Sequence, residues 1–186
     1  MRKNFGVKPW LYPMPVLILG TYDGNGNPNA MNAAWGGISE ENEIFVCVSD
    51  DHKTTANFLA TGAFTVSVAT AETLVAADFV GIVSGNDVPD KLARTDWHAE
   101  KSAFVNAPLF AELPVALECE VVSYDAETCR LFGRIQNVSA DERVLDEQGR
   151  IDAEKLKPLV YDPVAHVYRT VTAPLGRAFS AGKALK

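Results

Sequence analysis

The sequence predicts a mainly β fold with helical insertions, an antiparallel Greek-key barrel, on three observations. Short apolar or alternating runs recur along the chain, among them Pro15 to Tyr22, Ile44 to Val48, Phe64 to Val68 and Val115 to Val121. Turn signals separate them, the strongest being Asp23-Gly24-Asn25-Gly26. Finally, strands and helices do not alternate regularly, and no Gly-x-Gly-x-x-Gly joins a strand to a helix. That disfavours a doubly wound α/β fold and its usual dinucleotide-binding half-domain. With 186 residues, one domain spanning 1–186 can bury a substantial core.

The elements follow in order. Pro15 to Tyr22 and Pro28 to about Trp35 flank the Asp-Gly-Asn-Gly turn and read as a hairpin over 14–35. Gly36-Gly37 reads as a break or bend that allows close backbone approach. Ile44-Phe45-Val46-Cys47-Val48 is apolar throughout, a buried strand. Thr55, Phe58 and Leu59 then recur at helical spacing, with Gly62 as the stop. Phe64, Val66 and Val68 alternate with Thr65 and Ser67, the pattern of a half-buried strand. Glu72 to Val80 is a short helix with Thr70 as cap and Gly81 as stop.

Asp87 to Phe110 reads as irregular, with a helical turn around Asp90 to Arg94. Val115, Leu117, Cys119 and Val121 alternate with Glu118 and Glu120, the cleanest strand pattern in the chain. Tyr124 to Thr128 turns, and Cys129 to Val138 returns beside it. Asp141 to Lys157 is a polar surface excursion with at most a short helix. His166 to Val171 is the last strand before a small-residue tail.

Hydrophobic residues make up 47% and charged residues 22% of the chain, as in ordinary globular proteins. A formal charge of −7 without any Lys/Arg cluster argues against nucleic-acid binding and against an anionic membrane surface. No apolar stretch approaches the length of a membrane span, and Met1-Arg2-Lys3-Asn4-Phe5 leads into no continuous apolar run. Cys47, Cys119 and Cys129 are too few and too scattered for a disulfide framework. Cys119 and Cys129 could face each other across a hairpin, but buried reduced thiols fit better, and with them a cytoplasmic location.

The common catalytic groupings are missing. His52, His98 and His166 lie far apart, and there is no His-Glu-x-x-His, Cys-x-x-Cys or Gly-x-Ser-x-Gly. Metal ligation has no support from spacing. Trp97 reads as packing and His98 as solvated; His166 has no assigned role.

The informative stretch is Ser49-Asp50-Asp51-His52-Lys53-Thr54-Thr55, between an apolar strand and a helix. It brings hydroxyls, a Lys and a His to a helix N-terminus, where free N–H groups and the positive end of the dipole favour an anion such as phosphate. The same residue types also cap helices and solvate surfaces everywhere. Asn32-Ala33-Ala34-Trp35-Gly36-Gly37 puts small residues at a strand end, where a flat ligand could approach or a strand end simply pack. Gly81 to Val88 joins a helix end to a polar turn, and Gly176 to Lys183 is a compact tail of the kind that frays.

Taken in order, these segments resemble the flavin reductase-like proteins, in particular the flavoredoxin-type branch of the FMN-binding split barrels. The matching pieces begin with Tyr12-Pro13-Met14-Pro15-Val16, Leu19-Gly20-Thr21 and Pro28 through Trp35. They continue with Ser49 to Thr54, Thr61 to Val66, Ser84-Gly85 through Asp90-Lys91, and Ala107-Pro108-Leu109. Leu117 to Val121 and Ala178 to Lys183 complete the set, which spans nearly the whole chain.

The resemblance implies a six-stranded antiparallel split barrel, a homodimer, and FMN held near the subunit interface. By position, Asn32, Ala33, Ala34 and Trp35 would lie along the isoalloxazine or ribityl chain. Ser49, His52, Lys53 and Thr54 would surround the phosphate, and Ser84, Gly85 and Lys91 would complete the site. The family often has Arg where this chain has His52, which removes a constant positive charge that Lys53 can replace. The expected function is an FMN-containing oxidoreductase that takes hydride from transiently bound NADH or NADPH onto flavin N5, with no catalytic side chain. The alternatives are an FMN electron carrier reduced by a protein partner, which the acidic charge suits, and a barrel that binds no flavin.

Overall fold

A computed structural model describes residues 1–171 and 173–185. In chain order, the arm of residues 1–13 leads into β1 (Met14–Pro15), β2 (Leu17–Tyr22) and β3 (Pro28–Ala33). Next come β4 (Gly36–Glu40), β5 (Glu43–Cys47), α1 (Lys53–Thr61), β6 (Ala63–Val68) and α2 (Leu74–Ile82). β7 (Ala99–Lys101) and β8 (Pro108–Phe110) form a small hairpin, and β9 (Val115–Asp125) and β10 (Arg130–Ala140) a long one. α3 (Ala153–Leu156), β11 (Leu159–Asp162) and β12 (Val167–Thr170) follow.

Seven strands, against the six expected, make one antiparallel sheet in the order β3-β2-β6-β9-β10-β5-β4, with β4 added at its edge, curled into the half-barrel of a split-barrel fold. A second sheet has the order β1-β11-β12. β2 and β6 lie between two cores, and period-2 alternation sends neighbouring residues to opposite sides. Ile18 therefore joins Val80, Trp97, Phe110 and Leu159, while Leu19 joins Val46, Phe58, Phe64 and Leu131 inside the curl. Gly133 on β10 is where this inner core is tightest, because a Cβ there would lie 2.2 Å from Phe64 Cζ.

Several expectations are corrected. β6 is buried on both faces rather than half-buried: Thr65 and Ser67 are as inaccessible as Phe64 and Val66. The Thr65 hydroxyl donates to Pro108 O at 2.6 Å, so a polar residue survives there by bonding to the β8 backbone. Gly36-Gly37 does not break the chain but opens β4, pairing with Val46 and Phe45. A Cβ on Gly36 would lie 2.8 Å from Phe45 O, so glycine permits that close approach. Gly81 does not stop α2, which runs to Ile82 and ends where Val83 turns extended. Its role is packing, since a Cβ there would lie 3.0 Å from Asn32 Cβ.

β7, β8 and β11 also arise where no strand was expected, because they are too short to display a period. Cys119 pairs with Ile135, not Cys129, which sits in the turn with φ 55°, and all three cysteines are free. Trp97 is buried against Phe110, as expected of a packing residue, with ring centroids 5.6 Å apart. His98 is exposed and pairs with Glu112 at 2.6 Å, which raises its pKa. His166 lies in the β11–β12 turn, 2.8 Å from the Tyr161 hydroxyl. Among the described residues, no helix is long and apolar enough to cross a membrane.

Candidate functional site

The β5–α1 junction builds one wall of a cavity. His52 is the extended N-cap of α1, with φ −72° and ψ 141°, and its side chain makes no capping hydrogen bond. Ser49 O accepts the His52 N–H at 3.3 Å and the Thr55 hydroxyl at 2.6 Å, which closes the turn into the helix. The Thr55 N–H donates to His52 O at 3.0 Å. Among the described residues, the Lys53 and Thr54 N–H groups have no partner, so two donors of the first turn stay free. Thr54 is buried, and Asn29 Nδ2 donates to its Oγ1 at 3.0 Å. That bond occupies the hydroxyl oxygen as acceptor and leaves its proton to donate.

His52 Nδ1 is buried with no hydrogen-bond partner, 3.9 Å from Asp51 Oδ1. Lys53 Nζ lies 3.8 Å from Asp23 Oδ2. Hydrogen bonds from the Asn27 side chain and backbone hold that carboxyl below the usual aspartate range, with Lys53 adding to the effect.

The end of α2 and the segment after it form the facing wall. Lys91 is 3% exposed, and its Nζ donates to Val80 O at 3.1 Å and Val83 O at 2.8 Å. It therefore sits on the negative end of α2, with a third N–H still unspent. Desolvation alone lowers its pKa to about 8, with no carboxylate to offset the burial. Ser84 Oγ accepts the Asn86 N–H at 3.1 Å and keeps its own proton free to donate. At Gly85, a Cβ would come within 2.5 Å of Asn29 Oδ1 and 3.2 Å of Lys53 Cγ, so only glycine lets the two walls meet.

The cavity between the walls has a volume of about 230 Å³. It gathers His52, Lys53 and Thr54 on one side and Ser84, Gly85 and Lys91 on the other. Two lysines, two hydroxyl-bearing residues and the free N–H groups of the α1 start border this cavity, residue types suited to an oxyanion. Among the described residues, only one carboxylate, that of the exposed Asp51, borders it.

The other expected residues lie elsewhere. Ser49 is exposed and supplies only its carbonyl. Asn32 Nδ2 donates to Ala77 O of α2 at 3.0 Å. Ala33 is buried in the inner core. Ala34 and Trp35 border a separate apolar cavity of about 420 Å³ under the N-terminal arm, with Trp10, Leu11 and Phe45. Sequence reasoning missed Asn29 and Met31, which line the main cavity from β3, and Asp23, which pairs with Lys53. Asn29 carries a signal only in retrospect, as an amide at an inward position of a hairpin strand.

The family model for the flavin reductase like domain matches residues 10–170. The chain belongs to the flavin reductase-like family. Within this flavin reductase-like chain, the matched span runs from Trp10 of the arm to the end of β12 and includes both walls of the cavity. The flavoredoxin of Desulfovibrio vulgaris (Miyazaki F) is 34% identical, over 98% of this chain and 100% of that one, with a TM-score of 0.93. A flavoredoxin from Methanosarcina acetivorans is 26% identical over the whole of both chains, with a TM-score of 0.88. Nitrilotriacetate monooxygenase component B from Bacillus cereus shares the fold at 19% identity and a TM-score of 0.75, over 90% of this chain and 87% of that one. No curated protein matches this flavin reductase-like chain in sequence.

Proposed function

We propose that the chain is an FMN-binding oxidoreductase, reduced by NADH or NADPH, that acts as a flavin reductase in the cytoplasm. The observation that carries this reading is the cavity at the start of α1, whose donors fit a phosphate in a chain of the flavin reductase-like family. Its fit rests on the uncapped helix start and the two lysines that border it, which an anionic group would satisfy.

Lys53, Thr54 and His52 would hold the phosphate, with Ser84 and Lys91 completing the donor set from the facing wall. Bound FMN would supply the redox chemistry, accepting hydride at N5. The protein's part is to bind, orient and shield. At about 230 Å³ the cavity is smaller than the roughly 300–1,000 Å³ that encloses a whole ligand of this size. The flavin ring would therefore need room outside it, which the strand end with Trp35 and a second subunit would provide. A homodimer is part of the proposal.

A second reading is an FMN electron carrier, favoured by the formal charge of −7, which suits docking to a basic redox protein. One experiment separates the two. FMN is added to purified protein, excess is removed, and absorbance is followed as NADH and then NADPH are added without oxygen. Flavin bands that stay with the protein and bleach support the reductase. Flavin that stays oxidised supports the carrier, and protein that retains no flavin overturns both.

A further inference from the structure

The arm of residues 1–13 carries Arg2, Lys3 and Lys8 and no carboxylate, in a chain whose formal charge is −7. Before Tyr12 it packs on itself. Lys3 Nζ lies 5.4 Å from the Phe5 ring centroid, and Lys8 Nζ lies 5.9 Å from that of Trp10. The two rings meet edge-on, with centroids 5.3 Å apart. Among the described residues, neither lysine has an ion pair. The root of the arm is tied down. The Tyr12 hydroxyl donates to Asp162, which also accepts the Val164 and Ala165 N–H groups at 3.0 Å and Arg169 Nε at 3.1 Å.

Trp10 and Leu11 of the arm border the cavity of about 420 Å³, together with Trp35 and Phe45. None of its lining residues borders the cavity at α1. Both indoles are exposed, so a flat ring laid against them takes apolar surface out of water. Among the described residues of the lining, Lys8 alone is charged, and there is no carboxylate and no hydroxyl. A phosphate would need more donors than this, and a second anion would find no cation. A cation would be repelled by Lys8. A planar apolar body with a single negative charge matches what the walls offer.

We infer that this cavity is a second binding site, which takes an aromatic carboxylate with its ring against Trp10 and Trp35 and its charge at Lys8. The volume lies inside the roughly 300–1,000 Å³ range of small-ligand sites. The site goes beyond the phosphate reading and does not depend on it.

Calorimetry with 2-naphthoate, and with 2-naphthalenemethanol as its neutral counterpart, tests the site on protein with and without FMN. The acid should bind wild type about fivefold more tightly than the alcohol. Lys8→Met should remove that advantage and leave the affinity for the alcohol unchanged. Trp10→Ala should weaken both about tenfold. Both positions are exposed, so the variants should melt with wild type and bind FMN as it does.

Wild type that takes up no naphthoate would overturn the inference, as would acid and alcohol binding alike in all three proteins. Naphthoate binding that vanishes once FMN is loaded would also overturn it, by giving the cavity to the flavin ring. Sedimentation velocity covers a further occupant. If wild type is a dimer that binds no naphthoate and Trp10→Ala is a monomer, a second copy fills the cavity and the inference falls. Wild type that fails to bind FMN would defeat the phosphate reading alone, since the flavin-free titration still decides this site.

Discussion

The start of α1 and the end of β3 were expected to line one ligand, yet they present their residues in opposite ways. His52, Lys53 and Thr54 are consecutive, and all three border the same cavity. Asn32, Ala33, Ala34 and Trp35 are also consecutive, but they scatter to α2, the inner core and a separate cavity under the arm. The difference is geometric. The first turn of a helix aims successive N–H groups along its axis, so neighbours in sequence can serve one anion. A strand sends successive side chains to opposite faces, so neighbours cannot share a site unless the strand ends or bends between them.

The largest effect should come from the helix start. Lys53→Ala combined with Thr54→Ala removes a cation and a hydroxyl, and FMN affinity should fall about a hundredfold by fluorescence titration. An unchanged affinity would rule out the phosphate assignment and with it the contrast drawn above.

Lys91→Met tests the facing wall and should lower FMN affinity about tenfold. Because Lys91 Nζ is the donor to Val80 O and Val83 O, the ligand-free variant should also melt lower than wild type. The pH dependence has a definite sign. Below about 8, Lys91 is charged in both folded and unfolded chains, and its burial is a constant cost. Between about 8 and the ordinary 10.5, the folded chain has lost a proton that the unfolded chain keeps, so ligand-free stability should rise with pH. FMN affinity should fall over the same window, as the cation is lost. Thermal melts and titrations across pH 7–10 would check both trends, and Lys91→Met should flatten them.

Trp35→Ala should have the smallest effect, about threefold on FMN affinity, with no change in melting temperature because the ring is 57% exposed. A loss as large as that of the α1 double variant would mean that strand end and helix start form a single site in the assembled protein.

The sequence makes the helix start legible because it is a local device, readable from consecutive residues. The strands of the hairpin and of β9 were legible for the same reason, through period and turn chemistry. What escaped depends on contacts between distant segments. Asn29 looks like any turn-proximal amide until Thr54 is placed against it. Gly81 resembles a helix stop, and only its nearness to Asn32 reveals a packing role. Thr65 and Ser67 look solvent-facing because their polarity hides that β6 is central in the sheet. Lys91 entered the expected site through family resemblance, whereas its burial on the α2 carbonyls is visible only in three dimensions.

The bond from Asn29 to Thr54 has a counterpart one turn along α1, where Asn57 Nδ2 donates to Thr21 Oγ1 at 3.0 Å. Two directional pins, three residues apart on the helix, thus hold it to β2 and β3. Greasy contacts tolerate sliding, but a one-residue slip turns a helix by about 100° and would shear both pins at once. The helix is keyed to the hairpin as a shaft is keyed to a wheel. The aim of its leading N–H groups is therefore fixed before any ligand arrives.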